Sequence, residues 1–362
     1  MTTIADVARL AGVGTTTVTK VLANRKYVSE ATRKRVIDAI ATLEYQPSAA
    51  GRILRTGVTH VIGVITPPPE AQPFTQHALF PRYLDGIGRV AAANGYDVLW
   101  ITGVGGAVSS YAALFKSKRV DGLIDVYIHP RDPRIAGLRD SGYPFVLIGV
   151  PEDESLPHVS AAHFEGGYLA GRALVERAHR SIGYIGLADS PASRGRLAGV
   201  KAALAEAEQR IRPEHVALAN RAGKLPDYEQ IGYSTMCRWL ARGKVPRALV
   251  TAWDSIAYGA LRACHEQGYA VPDDLAIVGF DDEPPSRLLT PPLASVRTPD
   301  RELGSAAAKL LLELIDSTAP DPARYVIPMS LVERESLGPK KGANGLVDQV
   351  RGFHRKHARV HA

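Results

Sequence analysis

Apolar positions in the first 45 residues recur at helical spacing in three short blocks. Ile4, Val7, Ala8 and Ala11 make one stripe, Val18, Val21 and Leu22 a second, and Val36, Ile37, Ile40 and Leu43 a third. Thr3 and Asp6 have the spacing of a capping box, and Gly12 stands where a left-handed residue can end the first helix. Only Val13 and Gly14 then separate it from a second helix starting near Thr15. Helices joined so tightly cross steeply, the helix-turn-helix arrangement. Thr15, Thr16, Thr17, Thr19 and Lys20 cover much of the second helix outside its apolar face. Ser29 reads as the N-cap of the third helix, with Glu30 in its first turn.

From Val58 the period changes. Short β-branched runs alternate with amphipathic helices: Val61–Ile65, a helix over Tyr83–Asn94 closed by Gly95, then Val98–Ile101, Gly122–Val126 and Phe145–Ile148. The alternation restarts after about Pro157 with Ser181–Ile185, Ala248–Val250 and Leu275–Gly279. Repeated βα units predict parallel sheets covered on both faces, and two blocks predict two doubly wound lobes. The expected fold is an all-α helix-turn-helix headpiece followed by α/β, with two doubly wound parallel-sheet lobes. Such lobes bind ligands beyond the carboxyl ends of their strands.

Charge sharpens this picture. The 362 residues carry a formal net charge of +7, unevenly spread. Residues 1–60 hold nine Lys/Arg against four Asp/Glu, and residues 338–362 hold six against one, so the body between them is acidic. A basic head on an acidic body points to a polyanion partner at that end.

The residues Ile4-Ala5-Asp6-Val7-Ala8-Arg9-Leu10-Ala11-Gly12-Val13, Thr17-Val18-Thr19-Lys20-Val21-Leu22, Val28-Ser29-Glu30-Ala31-Thr32-Arg33 and Leu43-Glu44-Tyr45-Gln46-Pro47 closely resemble, without gaps, the headpiece of the LacI/GalR repressors. The resemblance implies that Thr15, Thr16 and Lys20 face bases of double-stranded operator DNA. It places Thr17, Thr19 and Ser29 among the DNA contacts, chiefly on phosphates. Pro47–Arg55 is similar to the family's hinge helix, which makes Leu54 a minor-groove wedge and Arg52 a neighbouring DNA contact. Gly14 and Ala23 depart from the family's Ser and Asn. Ala50-Gly51 is weak in a helix interior, so the segment is expected to be disordered without DNA.

The resemblance continues to about Leu337, over a sensor of the periplasmic-binding-protein type. It implies a homodimer controlled by a small-molecule effector, a sugar in the first instance. Ser193–Gly199 matches the motif whose second arginine holds sugar hydroxyls, here Arg196, and Ala276–Asp282 matches the strand end whose first aspartate accepts them, here Asp281. Asp254 matches a third strand end and fits a ligand contact or a helix N-cap equally. Trp253 offers a platform for a pyranose face or a core ring, and Phe80 has the same two readings. Ala162-His163 stands where the family carries Asp-Asn, and the loop Pro67–Pro73 is longer than usual, so the ligand geometry is expected to differ. Val120–Ile124 and Pro144–Gly149 look most like members that sense glucosides.

The expected division is 1–46 headpiece, 47–57 hinge, 58–338 sensor and 339–362 a basic, disordered tail. Within the sensor, the N-lobe takes about 58–156 plus 297–324 and the C-lobe about 157–296 plus 325–338. No catalytic group, cofactor or metal is expected. Gly103-Val104-Gly105-Gly106 lacks dinucleotide-loop spacing, and neither a phosphate loop nor a nucleophile elbow is visible. His163, His179 and His265 read as isolated, exposed residues. Two cysteines in no ligand pattern, no signal segment and no apolar run near the ~20 residues of a membrane span point to the cytoplasm. The alternatives are a sugar-binding module, or a co-repressor-dependent regulator sensing a non-sugar metabolite.

Overall fold

The computed structural model describes residues 2–22, 27–45, 57–66, 79–102, 109–126, 133–220 and 227–340. Arg52, Leu54, the loop 67–73 and the tail from 341 lie outside the described residues.

The headpiece contains three helices, α1 (Ile4–Ala11), α2 (Thr15–Leu22) and α3 (Glu30–Thr42). The predicted capping box is present: Asp6 N–H donates to Thr3 Oγ1, and Thr3 N–H donates to the Asp6 carboxylate. Gly12 takes φ 62° and donates back into the last turn of α1. The Gly14 carbonyl opens α2 by accepting from Thr17 and Val18 N–H, which glycine does as well as serine. Val7, Ala8, Ala11, Val18, Val21, Val36 and Ala39 close the core. Ile37 departs from its expected place and is 52% exposed. Each helical residue turns the side chain by ~100°, so centring α3 on Val36 and Ala39 swings Ile37 outward.

The larger unit holds two six-stranded sheets. The N-lobe strands are β1 (Val61–Thr66), β2 (Asp97–Thr102), β3 (Gly122–Asp125), β4 (Phe145–Ile148), β5 (His158–Ala161) and β11 (Arg324–Ile327). They lie in the order β11-β5-β4-β3-β1-β2, all parallel. The C-lobe strands are β6 (Ile182–Leu187), β7 (Val216–Ala219), β8 (Ala248–Thr251), β9 (Ala276–Phe280), β10 (Ala294–Arg297) and β12 (Ser330–Val332). Their order is β12-β10-β9-β8-β6-β7, with only β12 antiparallel. Between the strands run α4 (Leu79–Ala93), α5 (Ser109–Lys116), α6 (Pro133–Ser141), α7 (His163–Glu176), α8 (Pro191–Glu206), α9 (Tyr228–Ala241), α10 (Asp254–Glu266) and α11 (Asp300–Ile315).

Two boundaries shift from expectation. The chain crosses between lobes at Ala162, at Thr298–Pro299 and at Pro328–Met329. The first and third crossings come a few residues late because β5 and β11 pair in register, His158 with Arg324 through Ala161 with Ile327. Both strands therefore extend the N-lobe sheet. Helix α4 starts four residues earlier than predicted, with Pro81 in its first turn, where the missing N–H costs nothing.

Helix pairs pack through glycine. A methyl on Gly199 of α8 would lie 1.9 Å from the Phe164 carbonyl oxygen of α7, and one on Gly167 2.0 Å from that of Arg196. Gly304 of α11 seats equally closely on the Tyr83 carbonyl of α4. These interlocks fix the helix starts that carry the site.

Candidate functional site

On the headpiece, Thr15, Thr16 and Lys20 are exposed, while Thr17 and Thr19 are half-buried. The Thr19 hydroxyl donates to the Thr15 carbonyl at 3.0 Å, so it is partly spent on its own helix. Ser29 caps α3, accepting from Thr32 N–H at 3.3 Å and donating to Thr32 Oγ1 at 2.9 Å. Tyr27, just before that cap, is 94% exposed and was not singled out from the sequence. Its signal is an aromatic in a short polar connector. Lys34 and Arg35 are exposed on α3. Small hydroxyls flanked by cations are the side-chain chemistry that meets base edges and phosphates.

In the sensor, the carboxyl ends of the C-lobe strands gather a second group of residues. Ser190 caps α8 and Pro191 begins it, placing Arg196 two turns in, only 2% exposed. One guanidinium nitrogen donates to the Ala252 carbonyl, and Nη2 donates to Asp281 Oδ1 at 3.3 Å. The guanidinium carbon lies 4.4 Å from the Phe280 ring centre and 5.5 Å from that of Trp253. Asp281 directly follows β9 with φ 101°, a conformation that costs a non-glycine residue ~1–3 kcal/mol. Thr298 of the crossing segment fixes its Oδ1 with a 2.8 Å bond. From the N-lobe, α4 supplies Phe80 and Tyr83, their rings 6.5 Å apart. Burial raises the Tyr83 phenol well above its ordinary pKa, and the charges of Asp300 and Asp281 add to this. Trp253 stands 5.0 Å from Tyr228, ring centre to ring centre.

Four buried polar atoms here have no hydrogen-bond partner among the described residues: Arg196 Nε, Asp281 Oδ2, His163 Nδ1 and Asp300 Oδ1. Folded proteins leave few such atoms, and each costs ~1–3 kcal/mol. Such atoms have the chemistry to meet donors and acceptors of another molecule. Arg196, Asp281 and Trp253 thus come together, while Phe80 lies beside Tyr83 on α4. His163 corrects its reading as an isolated exposed residue. It begins α7, and its ring is held well below the ordinary histidine pKa by burial and then by the Arg196 charge. Tyr83 and Asp300 were missed, since nothing local in either segment distinguishes them from core or cap residues.

Asp254 is the fully buried first residue of α10, with Trp253 rather than Asp254 at the N-cap. Its carboxylate accepts from Ser286 Oγ at 2.6 Å, Ser295 Oγ at 2.7 Å and Glu283 N–H at 2.9 Å. Burial pushes its pKa up to about 8 against the pull of those bonds. Oδ2 thus ties α10 to the segment following β9 and Oδ1 ties it to β10, so the buried carboxylate is engaged within the C-lobe.

Two family profiles match the chain: bacterial regulatory proteins of the lacI family over residues 3–48, and the periplasmic binding protein-like domain over residues 172–337. The HTH-type transcriptional repressor PurR of Pectobacterium carotovorum subsp. carotovorum (strain PC1) is 34% identical over 344 residues, covering 93% of this chain and 97% of the relative. The chain belongs to the LacI family. It is a LacI-family DNA-binding transcription repressor with the family's two-lobed sensor. Among solved LacI-family structures, the lac repressor dimer bound to operator and the anti-inducer ONPF matches with a TM-score of 0.76 at 28% identity, covering 93% of this chain and 99% of that one. The transcriptional regulator CelR–cellobiose complex matches with a TM-score of 0.69 at 29% identity, covering 93% and 100%. No helix among the described residues is long and apolar enough to cross a membrane.

Proposed function

We propose that this LacI-family repressor acts as a homodimer controlling carbohydrate-utilisation genes, and that a sugar held between its lobes releases it from its operator. The observation that carries the effector reading is the pair of unsatisfied atoms Arg196 Nε and Asp281 Oδ2, buried beside Trp253. Donor and acceptor together suit a sugar's hydroxyls, and an aromatic face suits its apolar C–H surface. The cellobiose bound to CelR supports the same class.

Dimerisation is supported by what the sheets leave open. The edge strands β2 and β7 expose Val98 and Leu218, and Leu288 projects from the C-lobe at 77% exposure. A dimer presents two headpieces to a pseudo-palindromic operator, with Thr15, Thr16 and Lys20 on bases and Thr17, Thr19 and Ser29 on phosphates. Arg52 and Leu54 enter this proposal as minor-groove contacts at the operator centre. The effector shifts DNA affinity only through unequal binding to two lobe arrangements, so it must touch both lobes. Closing on it changes the lobe angle and the separation of the two connecting segments.

A second reading, a flat heterocycle such as a purine base, is favoured by the ring pairs Phe80–Tyr83 and Tyr228–Trp253. Thermal shift of the full-length protein separates the two. A ligand at 100 times its Kd adds ~2.7 kcal/mol, roughly 5–10 °C for a sensor of this size. A neutral sugar is expected to produce that shift in the wild type and none in Asp281→Ala. Stabilisation by purine bases but by no sugar contradicts the sugar reading.

A further inference from the structure

We propose that Asp300 and His163 complete the effector site opposite Arg196 and Asp281, and that the four together select an uncharged, polyhydroxylated effector over its phosphorylated or acidic counterparts. This rests on the effector reading above and adds a second set of contacts and a charge rule.

Asp300 is 2% exposed at the first position of α11. Its Oδ2 accepts from Arg82 Nη1 at 3.2 Å, while Oδ1 has no partner among the described residues. Helix α11 packs on α4 through Gly304 against the Tyr83 carbonyl, so Asp300 and Tyr83 are placed by one interlock in the N-lobe. Asp281 directly follows a C-lobe strand, yet its charge acts on both Asp300 and Tyr83. The two carboxyl groups, one in each lobe, therefore lie within electrostatic reach of each other, and each has one oxygen unpaired among the described residues. His163 stands at the crossing between lobes. Its Cβ lies 3.2 Å from the position a Gly195 methyl would take, one residue from Arg196, and its Nδ1 is buried without a partner.

Among the described residues of this cleft, Arg196 and Arg82 each already have a carboxyl partner. Arg196 faces Asp281, Arg82 faces Asp300, and the buried imidazole is uncharged near neutral pH. A phosphate or carboxylate would be buried beside the Asp281 carboxylate, and both of these described cations are already held by a carboxyl group, an arrangement whose desolvation is not repaid. Hydroxyls avoid that cost. They donate to Asp281 Oδ2, accept from Arg196 Nε–H, and do either with Asp300 and His163. A ligand reaching Asp300 from Arg196 touches both lobes, which is the unequal binding that a switch requires.

Isothermal titration of the full-length protein with glucose, cellobiose and further neutral mono- and disaccharides, against glucose 6-phosphate and glucuronate, tests this. At least one neutral sugar is expected to bind, and the anionic sugars at least tenfold more weakly. Asp300→Asn should narrow that ratio several-fold at pH 9, where Asp300 has lost its proton, and His163→Ala should weaken the neutral sugar about tenfold. An anionic sugar binding as tightly as the neutral one overturns the proposal. So does a normal affinity and ratio in both variants. If Asp300→Asn fails to fold, the wild-type ratio decides alone. Binding of sugars without charge selectivity removes only this inference. Binding of no sugar removes the effector reading and this with it.

Discussion

Gly199→Ala connects the packing of the C-lobe to the effector site. The added methyl would sit 1.9 Å from the Phe164 carbonyl oxygen and 2.6 Å from the Tyr168 nitrogen, both backbone atoms of α7. A relaxed carbon–oxygen contact is ~3.3 Å or longer, so α7 and α8 must separate by about 1.4 Å. Overpacking of this kind costs ~1–3 kcal/mol and outweighs the gain of up to ~1 kcal/mol from alanine in a helix. The sensor's melting temperature should fall by roughly 2–8 °C. The separation also moves His163, which begins α7, away from Arg196 on α8, and binding groups tolerate only ~0.5 Å of such displacement. Effector affinity should therefore drop at least tenfold. Gly88→Ala on α4 is the control, because a methyl there meets nothing within 4 Å. It should raise stability slightly or leave it alone. Differential scanning fluorimetry and effector titration read both variants. A Gly199→Ala protein that melts at the wild-type temperature with normal effector affinity refutes the argument, as does equal destabilisation by Gly88→Ala.

Lys20→Ala should weaken operator binding by ~1–3 kcal/mol while barely changing affinity for scrambled duplex, measured by fluorescence anisotropy. An equal loss on both would make Lys20 a phosphate contact. Asp254→Ala strips one acceptor from Ser286, Ser295 and Glu283 N–H together, so chemical denaturation should show a loss on the order of 3 kcal/mol or more. A change below about 1 kcal/mol would mean the network is dispensable. Burial first, and then neighbouring acidic charge, raises Asp300 to about 8 and Glu283 to about 7. Acids raised in the folded state bind protons that the unfolded chain, near pH 4, has already released. Their contribution is full at low pH and disappears as pH rises through 7 to 8. Ligand-free stability from urea melts should fall between pH 5 and 8.5, less steeply in Asp300→Asn, and an identical slope in that variant would count against the assignment.

What could be read along the chain follows how local each feature is. The capping box at Thr3 and Asp6, the left-handed Gly12 and the Ser29 cap all involve residues within a few positions, and each forms as expected. The alternating strands and helices were equally legible, because burial between helices forces continuous apolar runs. Lobe membership of β5 and β11 was not, since their pairing joins residues 158–161 to 324–327. Asp254 shows the same limit, with its three donors 29, 32 and 41 residues away. Arg196 and Asp281 were found through family resemblance, and the structure adds a buried atom on each without a partner among the described residues. Asp300 meets Arg82 across 218 residues, and His163 meets Arg196 only once α7 and α8 interlock. Neither neighbourhood leaves a trace in local pattern.

The central claim is that a small molecule in the sensor controls sequence-specific DNA binding by the headpiece. Titrating the full-length protein against its own upstream genomic fragments and random duplex, with and without the sugar found by thermal shift, tests it most directly. The account predicts at least a hundredfold preference for a pseudo-palindromic site, reduced at least tenfold by the sugar in the wild type and unaffected by it in Asp281→Ala. Equal affinity for all DNA, or a site preference that the bound sugar leaves untouched, would contradict it.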